Sequence, residues 1–177
     1  MAELPIQSFI DYLKFEKRYS PHTLLSYETD LVSFIDFLEI QYGSTELTEI
    51  THGYVRSWLA FLKEKNISSK TLNRKISTLK SFFKYELKRG SISVTQMQQV
   101  INPKVNKRLP QFIKEDETAE MVQSLKQSTE NWKSLNARML VTIFYATGMR
   151  LSELIGLKEK QVDFSNSRIK VFGKGNK

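Results

Sequence analysis

Apolar side chains return every three or four residues through most of the first ninety positions, which is the spacing of amphipathic helices rather than of strands. Residues that start and stop helices divide this pattern into four stretches. The starting signals are Ser20 before Pro21, Thr51, and Ser68 or Ser69, and the stopping signals are Gly43 and Gly90. We therefore predict a bundle of four helices, the last of which runs to about Arg89.

Charge is distributed unevenly along the chain. Residues 1–62 carry four Lys or Arg and nine Asp or Glu (net −5), residues 63–89 carry nine and two (net +7), and residues 90–177 carry fourteen and eight (net +6). Concentrated positive charge attracts polyanions, of which DNA is the commonest.

Composition excludes several other classes of function. The chain has no cysteine and only two histidines, His22 and His52, which argues against a disulfide scaffold, a metal site and a cysteine nucleophile. It has no apolar run of membrane length and no basic-then-apolar leader. We expect a cytoplasmic protein without a membrane partner.

The fourth predicted helix has a cationic side. On a wheel with about 100° per residue, six residues fall on one line, and we call them the basic face: Lys70, Arg74, Ser77, Ser81, Lys84 and Lys88. An apolar band lies roughly opposite, formed by Leu72, Ile76, Leu79, Phe83 and Leu87. Cations pair with phosphates and short hydroxyls allow close approach, so the basic face is a candidate DNA-binding surface. The alternative is an ordinary solvated face, although such faces usually mix both signs of charge.

The second half of the chain predicts another domain. We place a helical domain over 1–100, a proline-containing linker over 101–112 and a further domain over 113–177. In that last part, residues 135–146 predict an apolar helix, and a strand from Arg168 to Phe172 runs into a turn at 173–176. A single strand beside a turn has no pairing partner, which suggests that the chain is a piece of a longer protein.

Two cations stand out in this second domain. Arg150 follows the Thr147-Gly148 break at the start of a predicted helix, and its apolar neighbours suggest a partly buried stem. It could bind an anion or simply pair with Glu153 at position i+3. Lys174 lies between two glycines at the predicted turn, where it could reach a phosphate or be an exposed turn lysine.

Three blocks of sequence resemble the tyrosine recombinase (phage integrase) family, and most of all its Xer type. YATGMRLSELIGL with IKVFGKGNK resembles the first catalytic box and the β-hairpin lysine of that family. The segments YSPHTLLSYETDLVSFIDFL and SSKTLNRKISTLKSFFKYELKRG resemble its core-binding domain, and NPKVNKRLPQFIKEDE resembles its linker. The resemblance implies a mainly α fold, with a SAM-like orthogonal helical bundle followed by a truncated α+β catalytic domain with a small β-sheet.

The resemblance also implies an activity, namely site-specific DNA recombination through a 3′-phosphotyrosyl intermediate. Arg150 matches the first catalytic arginine, Lys174 matches the lysine that protonates the leaving 5′-oxygen, and Glu153 would orient Arg150. The family needs no metal or other cofactor and no small-molecule substrate, and its partners are double-stranded DNA and other recombinase subunits in a tetramer. None of the seven tyrosines matches the nucleophile, so we expect this chain to bind DNA without cleaving it. The alternatives are a DNA-binding module without catalysis and a helical protein–protein adaptor.

Overall fold

The computed structural model describes residues 5–43, 46–105, 109, 114–127 and 131–171. The chain divides into two compact units, Met1–Arg108 and Leu109–Lys177. Helix α1 (Ile6–Asp11) of the first unit continues into a π-helical turn (Tyr12–Glu16), and α2 (Pro21–Tyr42), α3 (His52–Glu64), α4 (Ser69–Arg89) and a short 3-10 turn (Gln96–Gln99) follow. The four predicted helices are therefore confirmed. No helix in the described part of the chain combines the length and the apolar character that crossing a membrane requires.

The predicted capping residues form these helix ends. The side chains of Ser20, Thr51 and Ser68 each accept a hydrogen bond from the backbone N–H three residues later, at 3.4, 3.4 and 3.3 Å. Helix α4 ends at Gly90, whose φ of 79° lies in the left-handed region that favours glycine. The ends of α4, and so the length of its basic face, follow from local sequence signals.

The core of the first unit lies between α1, α2, α3 and α4. Trp58 of α3 is fully buried and packs against Phe34 of α2 with 5.0 Å between ring centroids. Ile76 and Leu79 of α4 are also fully buried, as the wheel predicts. Leu87 differs from that prediction because it is 38% exposed near the end of the helix.

The second unit contains α5 (Glu115–Gln127), α6 (Trp132–Thr147), α7 (Leu151–Ile155), a 3-10 turn (Glu159–Gln161) and two strands, β1 (Val162–Asp163) and β2 (Arg168–Ile169). A mostly helical chain with a small antiparallel sheet confirms the predicted fold class. No residue of α6 is fully buried within the described part of the chain, although the sequence of this helix is strongly apolar.

The predicted strand has a pairing partner in the structure, so the expectation that it lacks one is wrong. Strand β2 pairs antiparallel with β1, which precedes it, in the register Val162 with Ile169 and Asp163 with Arg168. The turn between them is closed by Asp163, whose two carboxylate oxygens accept hydrogen bonds from the backbone and side chain of Asn166 at 3.1 and 2.8 Å. The predicted turn at 173–176 lies outside the described residues.

Candidate nucleic-acid interface

The structure places the whole basic face on one side of α4. Five of its six residues are exposed, and Ser81 is half-buried. The hydroxyl of Ser77 donates to the carbonyl of Asn73 at 2.9 Å, which leaves its lone pairs toward solvent. The prediction that these six side chains share one outer side of α4 is therefore confirmed by the geometry.

Three lysines of the basic face are available to bind an anion. Among the described residues, no carboxylate lies within ion-pair distance of Lys70, Lys84 or Lys88. An ammonium without a counter-charge attracts a phosphate electrostatically.

Lys17, which sequence reasoning missed, joins this surface. It follows the π-helical turn and lines a groove of about 460 Å³ together with Lys84, Lys88, Tyr12 and Tyr85. The Nζ atoms of Lys17 and Lys88 lie 5.6 and 5.9 Å from the centroid of the Tyr12 ring. The groove thus has a cationic rim and an aromatic wall, and no local pattern around Lys17 could have indicated it.

Arg74 differs from the three lysines because it has an acidic partner from another helix. Asp30 of α2 is fully buried, and its Oδ2 accepts from Arg74 Nη1 at 2.5 Å and from Thr78 Oγ1 at 2.9 Å. Its Oδ1 accepts from Lys75 Nζ at 2.9 Å. Asp30 directly precedes Leu31, a buried residue of α2, so the sequence already placed a charged side chain next to the core of this unit.

The second candidate site centres on Arg150 at the start of α7. Its backbone N–H donates to Glu153 Oε2 at 2.8 Å, and its Nη1 donates to Glu153 Oε1 at 2.7 Å. These two hydrogen bonds, first the backbone one and then the side-chain one, lower the pKa of Glu153 below its ordinary value. The predicted pair is present, but the expected burial of Arg150 is wrong, since its side chain is 68% exposed. Lys174 lies outside the described residues, so its role beside Arg150 at one phosphate stays a prediction.

Comparison with known proteins gives two family matches. Residues 6–90 match the phage integrase N-terminal SAM-like domain, and residues 111–177 match the phage integrase family domain. Among curated proteins, tyrosine recombinase XerC of Staphylococcus haemolyticus is 36% identical over 177 residues, which are 100% of this chain and 58% of the relative. XerC of Staphylococcus epidermidis is 37% identical over 171 residues, or 97% and 56%. The chain thus spans a little over half the length of these relatives.

Two solved structures share the fold. The XerH site-specific recombinase bound to a palindromic difH substrate superimposes with a TM-score of 0.66 at 19% identity, over 99% of this chain and 52% of that one. A lambda integrase dimer bound to a COC′ core site gives 0.65 at 18% identity, over 96% and 58%. With the α-helical first unit, the small antiparallel sheet and the two family matches in chain order, the chain belongs to the phage integrase family, the family of the tyrosine recombinases.

Proposed function

We propose that the first unit binds duplex DNA through the basic face of α4, extended by Lys17. The observation that carries the proposal is the exposure of Lys70, Lys84 and Lys88 without a carboxylate partner among the described residues. Each such ammonium can replace a condensed counterion at a phosphate, and the release of those ions drives binding.

Two further features support this surface. The lysines of the groove are held on packed structure, because Tyr12 and Tyr85, which line the same groove, pack with their ring centroids 4.7 Å apart. XerH and lambda integrase, which share the fold, were solved on DNA. DNA and further recombinase subunits are accordingly the partners we propose.

The test compares two pairs of charge reversals with the same change in net charge. Lys84→Glu with Lys88→Glu alters the basic face, whereas Lys63→Glu with Lys65→Glu alters exposed lysines at the end of α3. Fluorescence anisotropy with a labelled duplex at several salt concentrations measures affinity and its salt dependence. We expect the first pair to flatten the slope of log K against log salt by about one unit per lost contact, and the second pair to leave that slope nearly unchanged.

Two outcomes contradict the proposal. Equal losses from both pairs would show a diffuse charge effect without a defined surface. Absence of salt-dependent binding by the wild-type chain would favour the helical adaptor.

We further propose that, in a longer protein of this family, Arg150 and Lys174 act on the scissile phosphate of a recombination site. Arg150 would bind two non-bridging oxygens with its planar guanidinium and stabilise the charge that develops there. As a tyrosine oxygen bonds to phosphorus and the bond to the 5′-oxygen breaks, Lys174 would give its proton to that leaving oxygen. A 5′-hydroxyl of the partner strand then attacks the phosphotyrosyl bond and releases the tyrosine.

The environment of Arg150 supports its part of this proposal. The guanidinium donates to Glu153 from Nη1, and its side chain is largely exposed at the first turn of α7. Arginine has five N–H donors, so most of the fork is available to phosphate oxygens. Helix α6 also exposes apolar side chains, among them Leu135, Met139 and Phe144, which the remainder of a longer catalytic domain would cover.

These 177 residues should bind DNA but form no covalent adduct, because none of their tyrosines matches the family nucleophile. The measurement is a denaturing gel of the chain incubated with end-labelled duplex. A labelled band that survives denaturation and is lost on Tyr145→Phe, a change to an exposed tyrosine of α6, would locate a nucleophile within this chain and overturn the assignment.

A further inference from the structure

We propose that Asp30 is a positioning residue for DNA binding, which holds the guanidinium of Arg74 in place on the basic face. The inference rests on the proposed DNA-binding function. It starts from a buried cluster, which we call the Asp30 cluster, formed by Asp30 of α2 with Arg74, Lys75 and Thr78 of α4.

The charges of the Asp30 cluster do not cancel. One carboxylate meets one guanidinium and one ammonium, so the cluster carries a net charge of +1. The Lys75 side chain is only 10% exposed and its Nζ also lies 5.4 Å from the Trp58 ring, so Lys75 serves as the internal counter-charge of Asp30. The Arg74 side chain is 49% exposed, and the excess positive charge is therefore presented to solvent through Arg74.

Arg74 can hold Asp30 and a phosphate at the same time. Among the described residues its guanidinium donates to Asp30 through Nη1, which leaves further N–H groups of the fork for a second acceptor. Arg74 lies one turn after Lys70 and one turn before Ser77, within the exposed line of the basic face. A guanidinium already fixed by Asp30 loses less conformational freedom when it binds a phosphate than a free side chain would.

The positioning role and simple electrostatics predict opposite changes in DNA affinity when Asp30 is removed. Asp30 is negative, so its removal should strengthen binding to DNA if charge alone decides. If Asp30 positions Arg74, its removal should weaken binding instead.

The test uses a variant that keeps the net charge and avoids a buried cation without a partner. Asp30→Asn with Lys75→Met removes one negative and one positive charge, so Arg74 alone still leaves +1 in the cluster. We expect this double variant to bind a labelled duplex about tenfold more weakly than the wild type, with a flatter salt dependence. Circular dichroism at the assay temperature checks that the helices are retained. Lys75→Met alone lowers the net charge by one and shows the effect of losing that ammonium while Arg74 is still anchored by Asp30.

The Arg74→Ala background separates positioning from a general structural effect. In that background the double substitution should change affinity less than twofold, because there is no guanidinium left to position. An equal loss with and without Arg74, or wild-type affinity in the double variant, would overturn the role of Asp30. Failure of the DNA-binding function itself would look different, because the wild-type chain would then show no salt-dependent binding at all.

Discussion

Replacing Asp30 alone by asparagine should destabilise the first unit by about 3–5 kcal/mol, which is the usual cost of breaking a buried ion pair by removing one partner. The structure places this change in the upper part of the range for three reasons. Asp30 is fully buried, it accepts from three donors, and Lys75 would remain buried with its amino group facing an amide.

Urea unfolding can measure this loss within the intact chain. Trp58 is fully buried beside the Asp30 cluster, whereas Trp132 of the second unit is 75% exposed. In a Trp132→Phe background, tryptophan fluorescence therefore reports on the first unit. With a denaturant slope of about 2 kcal/mol per molar urea, the midpoint should fall by about 2 M.

The double substitution Asp30→Asn with Lys75→Met supplies the control for that prediction. It removes the buried ammonium together with its partner and fills the space with an apolar side chain of similar length, so most of the lost stability should return. A loss below about 1 kcal/mol for the single change, or no recovery in the double one, would refute the view that an uncompensated buried charge sets the cost.

The remaining predictions concern a helix end and the second candidate site. In a thermal-unfolding assay, Gly90→Ala should lower the free energy of unfolding by about 1–2 kcal/mol, because the φ of 79° at Gly90 strains any L side chain although the space around it is open. Gly53→Ala, at a position without positive φ, should lower it clearly less. The lowered pKa of Glu153 means that its contribution to stability is present above the unfolded-state pKa and is lost as pH falls through the folded one. An NMR titration of its side-chain carboxyl should show this lowered pKa in the wild type and a smaller lowering in Arg150→Ala, which loses the guanidinium but keeps the backbone N–H donor. An unchanged pKa in that variant would contradict the part assigned to the guanidinium.

Much of the first unit could be predicted because its signals are local. Ser20, Thr51 and Ser68 cap helices through a backbone N–H only three residues away, and Gly90 ends α4 through its own conformation. Since a helix repeats every 3.6 residues, the order of side chains along α4 also determined which of them share its exposed side.

Two predictions for the second unit were wrong, the missing partner of β2 and the burial of Arg150. The sequence analysis considered only a partner that follows β2, whereas β1 precedes it and is joined to it by a turn that Asp163 and Asn166 stabilise. The burial expected for Arg150 followed from apolar neighbours in sequence, but α6 and the start of α7 leave much apolar surface exposed among the described residues.

The sequence by itself determined the four helices of the first unit and the row of cations along α4, because both depend on residues within one or two helical turns. Only the tertiary structure decided which cations of α4 lack a carboxylate partner among the described residues and that Arg74 is held by Asp30. Asp30 and Arg74 are 44 residues apart, and Lys17 reaches the groove from before α2. Pairings over such separations depend on how α2 packs against α4, and periodicity within one helix carries no information about the side chains that its neighbour brings.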